Sequence, residues 1–133
     1  MKKILGDPAK LKPFDISLPC KFISDASKLY GLGFILTQIN PDGSRNIVAC
    51  GSTSLTKAQL NYSVIELELL AAQWGVSKCS YYLKGCPGFV IETDHLPLIG
   101  LEKKTVDDID NPRVLKIRER LAAYSYKFEY IPG

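Results

Sequence analysis

The chain has 133 residues, a formal net charge of +3, 46% hydrophobic residues and 23% charged residues. This length suits one domain with its own core, and the composition excludes disordered and fibrous classes. No apolar run approaches the roughly 20 residues that span a bilayer, and the first residues lack the apolar stretch of a signal peptide. The mild positive charge permits a phosphate-bearing partner without requiring one.

The cysteines do not form a recognisable metal or disulfide framework. Cys20, Cys50, Cys79 and Cys86 contain no Cys-x-x-Cys pair, and the one histidine, His95, does not complete a zinc site with them at known spacings. We therefore expect reduced thiols and an intracellular, cytoplasmic protein.

The first third of the chain predicts an extended lead-in followed by three strands. Three prolines fall within residues 1–19 and favour extended backbone there. Residues 21–25, 31–39 and 45–54 then have strand composition. The Pro-Asp-Gly turn at 41–43 predicts an antiparallel hairpin between the second and third of these strands.

The middle of the chain carries the longest helix signal. Both Thr56-x-x-Gln59 and Ser63-x-x-Glu66 match a capping box. We take Ser63 as the cap of the main helix and expect the helix to run to about Leu83. The breakers Gly85, Pro87 and Gly88 follow.

The last third predicts two more strands and two further helices. Residues 89–94 are rich in β-branched and aromatic side chains, and 126–131 alternate in polarity. A short helix is predicted over 97–104, and Asn111-Pro112 caps a helix over 113–124. The resulting βββαβαβ order predicts an α/β fold: a mixed five-stranded sheet flanked by helices, because the crossover helix lets the third and fourth strands run parallel.

Two aspartates end strands that we expect to be neighbours. Asp25 ends the first strand and Asp94 the fourth, so both would reach the same edge of the sheet, where ligands gather in open α/β sheets. Glu66 and Glu68 compete to supply a third carboxylate from the helix. They lie about 200° apart around the axis, so only one can face the sheet, and Glu68 falls within the apolar arc with Ala72 while Glu66 does not.

Such a cluster of acids suggests divalent cations. Two carboxylates about 4 Å apart repel strongly in a low-dielectric site unless protons or cations occupy it. Hard oxygen ligands suit Mg²⁺ or Mn²⁺, and two such ions about 3.5–4 Å apart can clamp a phosphodiester. Taken alone the pattern is weak, because strand-end aspartates and helix glutamates are common.

Longer motifs carry a resemblance to the ribonuclease H (RNase H) domain of gypsy-type LTR retrotransposon reverse transcriptases. The matching blocks run in order from about residue 14 to residue 133. They are Phe-Ile-Ser-Asp-Ala-Ser at 22–27, Ser-x-x-Leu-Thr-x-Ala-x-x-Asn-Tyr-Ser-x-x-Glu-x-Glu-Leu-Leu-Ala at 52–71, Thr-Asp-His-x-Pro-Leu at 93–98, and the stretch from Asn-Pro-Arg at 111 to Tyr-Ile-Pro-Gly at 130–133.

The resemblance implies a fold, an activity and a set of site residues. It implies an RNase H-like fold and cleavage of the RNA strand of RNA–DNA hybrids by two Mg²⁺ or Mn²⁺ ions. By position, Asp25, Glu68 and Asp94 match the catalytic, metal-binding acids. The expected partners are the hybrid and a polymerase domain of the same polyprotein, inside a retroelement particle.

The same resemblance implies domain bounds, and at one point this sequence departs from the family pattern. It implies a lead-in from a polymerase domain over 1–19 and an RNase H-like domain over 20–133. The family continues with a helix bearing a fourth acid in an Ala-Asp-x-Leu-Ser-Arg-like segment, and this sequence ends before it. We therefore expect the C-terminal helix to be missing, one ion to be held poorly, and the activity of this chain alone to be reduced.

Several residues have both a substrate-binding and a structural interpretation. His95 either contacts the substrate phosphate or shapes the site edge, or else caps the loop after Asp94, and Ser27 is a candidate substrate contact. Arg113, Lys116 and Arg120 fall within about 60° of helix surface, where they either follow a phosphate backbone or form a solvated face.

Two rival functions are compatible with parts of the sequence. The first is a catalytically weak or inactive RNase H-like tether or binding module, from a domesticated or truncated retroelement. The missing fourth acid favours this function, and the three acids that remain argue against it. The integrase branch of the fold is disfavoured because its late acid is a glutamate, whereas the order here is Asp, Glu, Asp.

Overall fold

A computed structural model describes residues 12–84, 86, 88–95, 97–98 and 111–132. The predicted helix over 97–104 lies largely outside these residues. The strands and helices are β1 (Cys20–Ser27), β2 (Gly31–Ile39), β3 (Arg45–Thr53), α1 (Val64–Lys78), α2 (Ser80–Leu83), β4 (Phe89–Thr93), α3 (Pro112–Leu121) and β5 (Tyr126–Tyr130).

The five strands form one mixed sheet in the order β3-β2-β1-β4-β5. β1 to β3 pair as an antiparallel meander, whereas β4 pairs parallel to both β1 and β5. The predicted mixed five-stranded α/β fold is confirmed. β1 is the strand at which the antiparallel and parallel halves of the sheet meet.

Helix α1 begins where the sequence predicted but ends earlier. The Ser63 hydroxyl accepts the Glu66 N–H, and the Glu66 carboxylate accepts the Ser63 N–H, which completes the capping box. The prediction of one continuous helix to Leu83 is wrong, because the backbone leaves helical geometry at Cys79 before α2 begins. Leu83, the last residue of α2, is fully buried in the core.

The core lies between α1 and the sheet, and a glycine sets how closely they pack. A Cβ atom built on Gly75 would lie 2.7 Å from Phe34 Cβ and closer still to the Phe22 ring. Ala72 is fully buried on the same helix. Small residues therefore bring α1 close enough to hold its side chains against β1 and β2.

The segment before β1 is attached to the sheet. The buried Gln38 side chain of β2 accepts the Asp15 N–H and donates to the Asp15 and Leu18 carbonyls. Phe14 packs against Tyr82 with ring centroids 5.0 Å apart. Residues 12–19 thus contribute to the packed domain. Within the described residues, no helix has the length and apolar character needed to cross a bilayer.

Candidate active site

The two aspartates lie at adjacent parallel strands, Asp25 within β1 and Asp94 directly after β4. The prediction that Asp25 ends the first strand is wrong, because β1 stays paired with β2 as far as Ser27. β1 pairs with β4 through three residue pairs, of which the last joins Ile23 to Glu92. Continuing this register by two residues sets Asp25 beside Asp94, which directly follows β4 and is exposed. The Asp25 carboxylate also accepts the Ala26 N–H at 2.9 Å. The two aspartates therefore occupy one edge of the sheet.

Helix α1 brings the third acid to this edge. Glu68 is half-buried, and burial raises the pKa of its carboxyl to about 8, with further increases from the negative charges of Asp25 and then Asp94. A hydrogen bond from the Ala26 N–H acts in the opposite direction. Glu68 therefore lies close enough to both aspartates for their negative charges to disfavour its ionised form.

The donor chemistry of this cluster suits a hard divalent cation, because every candidate ligand atom is a carboxylate oxygen. As the side chains stand, no group of three or more His, Cys, Asp or Glu among the described residues is arranged to hold a metal ion. The carboxylates would have to draw together around a cation to enclose it.

The competing glutamate has a different environment. Glu66 is only 5% exposed, accepts a hydrogen bond from Asn111 Nδ2 at 2.9 Å, and lies 3.5 Å from Arg113 Nη1. Hydrogen bonds, chiefly from the Ser63 N–H, lower the pKa of Glu66. Its capping role was predicted. Its burial was not, because the groups that cover it come from the start of α3, 45 residues away in sequence.

The remaining sequence candidates fall into two groups. Ser27 is the last residue of β1, and His95 lies two residues after the end of β4. The Ser27 hydroxyl accepts the N–H groups of Leu29 and Tyr30, and the His95 N–H donates to the Thr93 hydroxyl. Both residues therefore help to shape the site edge, and their contact with substrate stays a prediction.

Of the three basic residues on α3 that the sequence singled out, one is engaged within the protein and two face solvent. The Arg113 guanidinium lies 4.4 Å from the centroid of the Tyr62 ring and also faces Glu66. Lys116 and Arg120 are exposed on α3. Arg113 thus stabilises the junction of α1 and α3, while Lys116 and Arg120 keep the solvent-facing positions that a phosphate contact requires.

One buried ion pair on the sheet was missed from the sequence. Glu92 is 5% exposed, and Arg45 holds it with two hydrogen bonds of 2.5 and 3.0 Å. Lys21 Nζ lies 4.0 Å from the same carboxylate. An acid inside an otherwise apolar strand was the available signal, but its partner is 47 residues away.

Solved structures with this architecture define the class of fold. The chain superposes on a foamy viral protease-reverse transcriptase in complex with an RNA/DNA hybrid with a TM-score of 0.66, at 17% identity, covering 91% of this chain and 16% of that one. It also superposes on RNase H1 from Halobacterium salinarum with a TM-score of 0.54, at 14% identity, covering 86% and 85%. The fold is therefore RNase H-like.

Sequence relatives place the chain within that class. Residues 15–124 match the model of the RNase H-like domain found in reverse transcriptase. The whole chain is 34% identical to part of the retrovirus-related Pol polyprotein from transposon 412 of Drosophila melanogaster and 32% identical to part of the transposon Tf2-3 polyprotein of Schizosaccharomyces pombe. The chain belongs to this family, which confirms the resemblance to gypsy-type elements. It spans about a tenth of the length of these relatives.

Proposed function

We propose that this domain is an endoribonuclease that cleaves the RNA strand of RNA–DNA hybrids during retroelement reverse transcription. Asp25, Glu68 and Asp94 are its catalytic and metal-binding residues in this proposal. The observation that carries it is geometric: the β1–β4 register sets Asp25 beside Asp94, and helix α1 brings Glu68 close enough for burial and the two aspartates to raise its pKa. Strongly perturbed acids that cluster at one edge of a sheet are typical of functional sites.

The three acids are costly to keep without a counter-charge. Each negative charge at this edge raises the energy of the others, and the burial of Glu68 adds a desolvation penalty. A bound Mg²⁺ or Mn²⁺ would offset both the repulsion among the acids and the desolvation penalty of Glu68. A pair of such ions would supply the activation of water and the stabilisation of the leaving oxygen. The Ala26 N–H fixes one oxygen of Asp25, which limits the directions from which that carboxylate can bind a cation.

The proposed partners follow from the relatives. One structural neighbour is a protease-reverse transcriptase in complex with an RNA/DNA hybrid, and the curated relatives are polyproteins. We infer that the hybrid is the substrate and that a polymerase domain belongs to the same polyprotein. In this arrangement residues 1–19 lead in from the polymerase domain, and residues 20–133 carry the nuclease, against which residues 12–19 of the lead-in are packed.

The test is hydrolysis of a hybrid whose RNA strand carries a terminal label, with Mg²⁺ or Mn²⁺ added to the metal-free chain. Cleavage should require the cation and should fall roughly a hundredfold or more in Asp94→Asn, the scale expected when a group that stabilises the transition state is lost. Glu119→Gln is the matched control, because Glu119 is an exposed acid on α3. It should cleave at the parent rate.

A second measurement does not depend on turnover. Paramagnetic Mn²⁺ should broaden the backbone amide resonances near Asp25 and Asp94 in the parent, and this broadening should weaken in Asp94→Asn. Equal cleavage by Asp94→Asn and the parent would show that the acids have been wrongly assigned.

A further inference from the structure

Three cysteine thiols lie together at the end of the core that is far from the acids. Cys20 is the first residue of β1, Cys79 joins α1 to α2, and Cys86 lies in the link from α2 to β4. Cys20 and Cys79 are 3% and 1% exposed, whereas Cys86 is partly exposed. Asp25 lies roughly 16 Å further along β1. These thiols therefore have no part in the proposed hydrolysis.

Cys20 lies between the other two thiols. It is within hydrogen-bonding reach of Cys86, and it is close enough to Cys79 for their charges to interact. Gln38 Nε2 also donates to Cys20 Sγ at 3.6 Å, and this contact fixes the position of the sulfur atom. The Cys20 sulfur is thus held beside a thiol that solvent can reach.

The backbone holds this arrangement in place. The parallel pairing of β1 with β4 begins at Lys21 and Val90, directly after the first thiol and shortly after the last. The Cys86 N–H donates to the Leu83 carbonyl, and the Gly88 N–H donates to the Cys86 carbonyl. The link that enters β4 is therefore tightly turned and anchored at both ends. Two sulfur atoms held in contact by fixed backbone can bond without a large movement of the chain.

A group of thiols can bind a soft metal ion or oxidise in pairs. In the part of the chain that the structure describes, no three or more His, Cys, Asp or Glu side chains are placed to hold a metal ion. The four cysteines are free thiols. Contact between a buried thiol and a partly exposed one is the arrangement that disulfide exchange requires, because the oxidant must reach one sulfur and the second must reach the first.

We propose that Cys20 and Cys86 are a reversible redox pair, which a low-molecular-weight disulfide oxidises to a disulfide bond. This inference does not rest on the proposed function. The Cys86 thiolate attacks one sulfur of the oxidant, whose S–S bond breaks, and one small thiol leaves. The Cys20 thiol then loses its proton to solvent and attacks the Cys86 sulfur, and the second small thiol leaves. The two protein thiols lose two electrons, and the oxidant gains two.

The environments of the thiols set the order of these steps. Burial, and then the charge of Cys86, raises the pKa of Cys20 to about 11. Burial, and then the charge of Cys20, raises the pKa of Cys79 to about 12. Because the thiolate is the attacking form, neither buried thiol is a good first nucleophile near neutral pH. The oxidant therefore reacts first at the partly exposed Cys86, and Cys20 completes the bond inside the protein.

The bond would join the start of β1 to the segment that enters β4. It closes a long loop of the chain and so restricts the unfolded state. The oxidised domain should therefore melt roughly 5–15 °C above the reduced domain. The fourth cysteine, Cys50, is exposed on β3, two strands away from β1. Its thiol can only join two chains, so it is removed for the test.

The experiment equilibrates the Cys50→Ser protein with mixtures of reduced and oxidised glutathione in EDTA. Rapid acidification stops thiol exchange, N-ethylmaleimide blocks the remaining thiols in denaturant, and peptide mass spectrometry identifies the linked pair. We expect a bond between Cys20 and Cys86 that dithiothreitol reverses, together with the rise in melting temperature. Adding Cys86→Ser is the matched control, which should form no internal bond and should melt at the same temperature in both buffers.

Mapping on the Cys50→Ser protein decides the question without any change to a buried residue. Maleimide on both Cys20 and Cys86 at every glutathione ratio would overturn the inference, provided that the reduced protein melts cooperatively. A glutathione adduct that stays on Cys86, or a bond that involves Cys79 or joins two chains, would overturn it as well. The assay contains no nucleic acid, so its result is independent of whether the chain cuts a hybrid.

Discussion

Replacing Glu68 with glutamine should remove a pH-dependent cost from the folded domain. The side chain keeps its size, and its carbonyl oxygen can still accept the Ala26 N–H. The charge that Asp25 and Asp94 repel is lost. Without divalent cations, the difference in the free energy of unfolding between the variant and the parent therefore measures the cost of the charge on Glu68.

The direction follows from comparing the folded and unfolded states. The pKa of Glu68 is about 8 in the folded domain, against an ordinary value of 4.5. Below pH 4.5 both states hold the proton and Glu68 costs nothing. As pH rises from 4.5 to 8 only the unfolded state releases its proton, so stability falls, and above pH 8 the full cost is present.

The size of the effect follows from the same two values. At 1.36 kcal/mol per pKa unit, the total cost is about 5 kcal/mol, of which about 4 kcal/mol develops between pH 5 and pH 8.5. The stability gain of Glu68→Gln over the parent should thus be about 4 kcal/mol larger at pH 8.5 than at pH 5.

Urea unfolding of both proteins in EDTA at these two pH values measures this difference. Asp25 and Asp94 are present in both proteins, so the double difference removes most of the contribution of other titrating groups. A variant that is less stable than the parent at pH 8.5, or that has the same pH slope, would refute the reasoning.

Two further substitutions test the packing and the buried charge. Gly75→Ala should destabilise the domain by about 1–3 kcal/mol, because the new methyl group meets Phe22 and Phe34 and must push α1 off the sheet; an unchanged urea midpoint would contradict this packing. Arg45→Met should cost about 2–3 kcal/mol in the same assay, since it leaves the buried Glu92 carboxylate without its two hydrogen bonds, partly offset because Arg45 itself is partly exposed. A gain in stability on this substitution would show that the ion pair costs more in desolvation than it returns.

Local patterns accounted for most of the strands and helix starts. The bounds of β2 agree with the prediction, because Gly31 and the Asn40 turn mark both of its ends. The start of α1 was predicted equally well, because Ser63 and Glu66 satisfy each other within four residues. Such signals depend on neighbours in the chain and are readable without a tertiary structure.

The features that sequence reasoning missed depend on distant partners. Glu66 is buried because Asn111 covers it, and Glu92 is tolerated in a strand because Arg45 reaches it. Helix-face geometry favoured Glu68 over Glu66 as the acid that faces the sheet, and Glu68 is the one whose pKa is raised by the charge of Asp25. Its role in catalysis stays a prediction, because proximity to the other acids does not establish turnover.

The position of β1 between the two halves of the sheet has a consequence for assembly. Asp25 belongs to a meander built from residues close together in sequence, which can form early, whereas Asp94 arrives with a strand whose pairing must close a long loop. In the part of the chain that the structure describes, three residue pairs join β1 to β4, and the negative charges of Asp25 and Asp94 beside Glu68 oppose this pairing. A cation bound by both Asp25 and Asp94 would link β1 to β4. Adding the metal should therefore slow amide hydrogen exchange at the β1–β4 pairing more than within the β1–β3 meander.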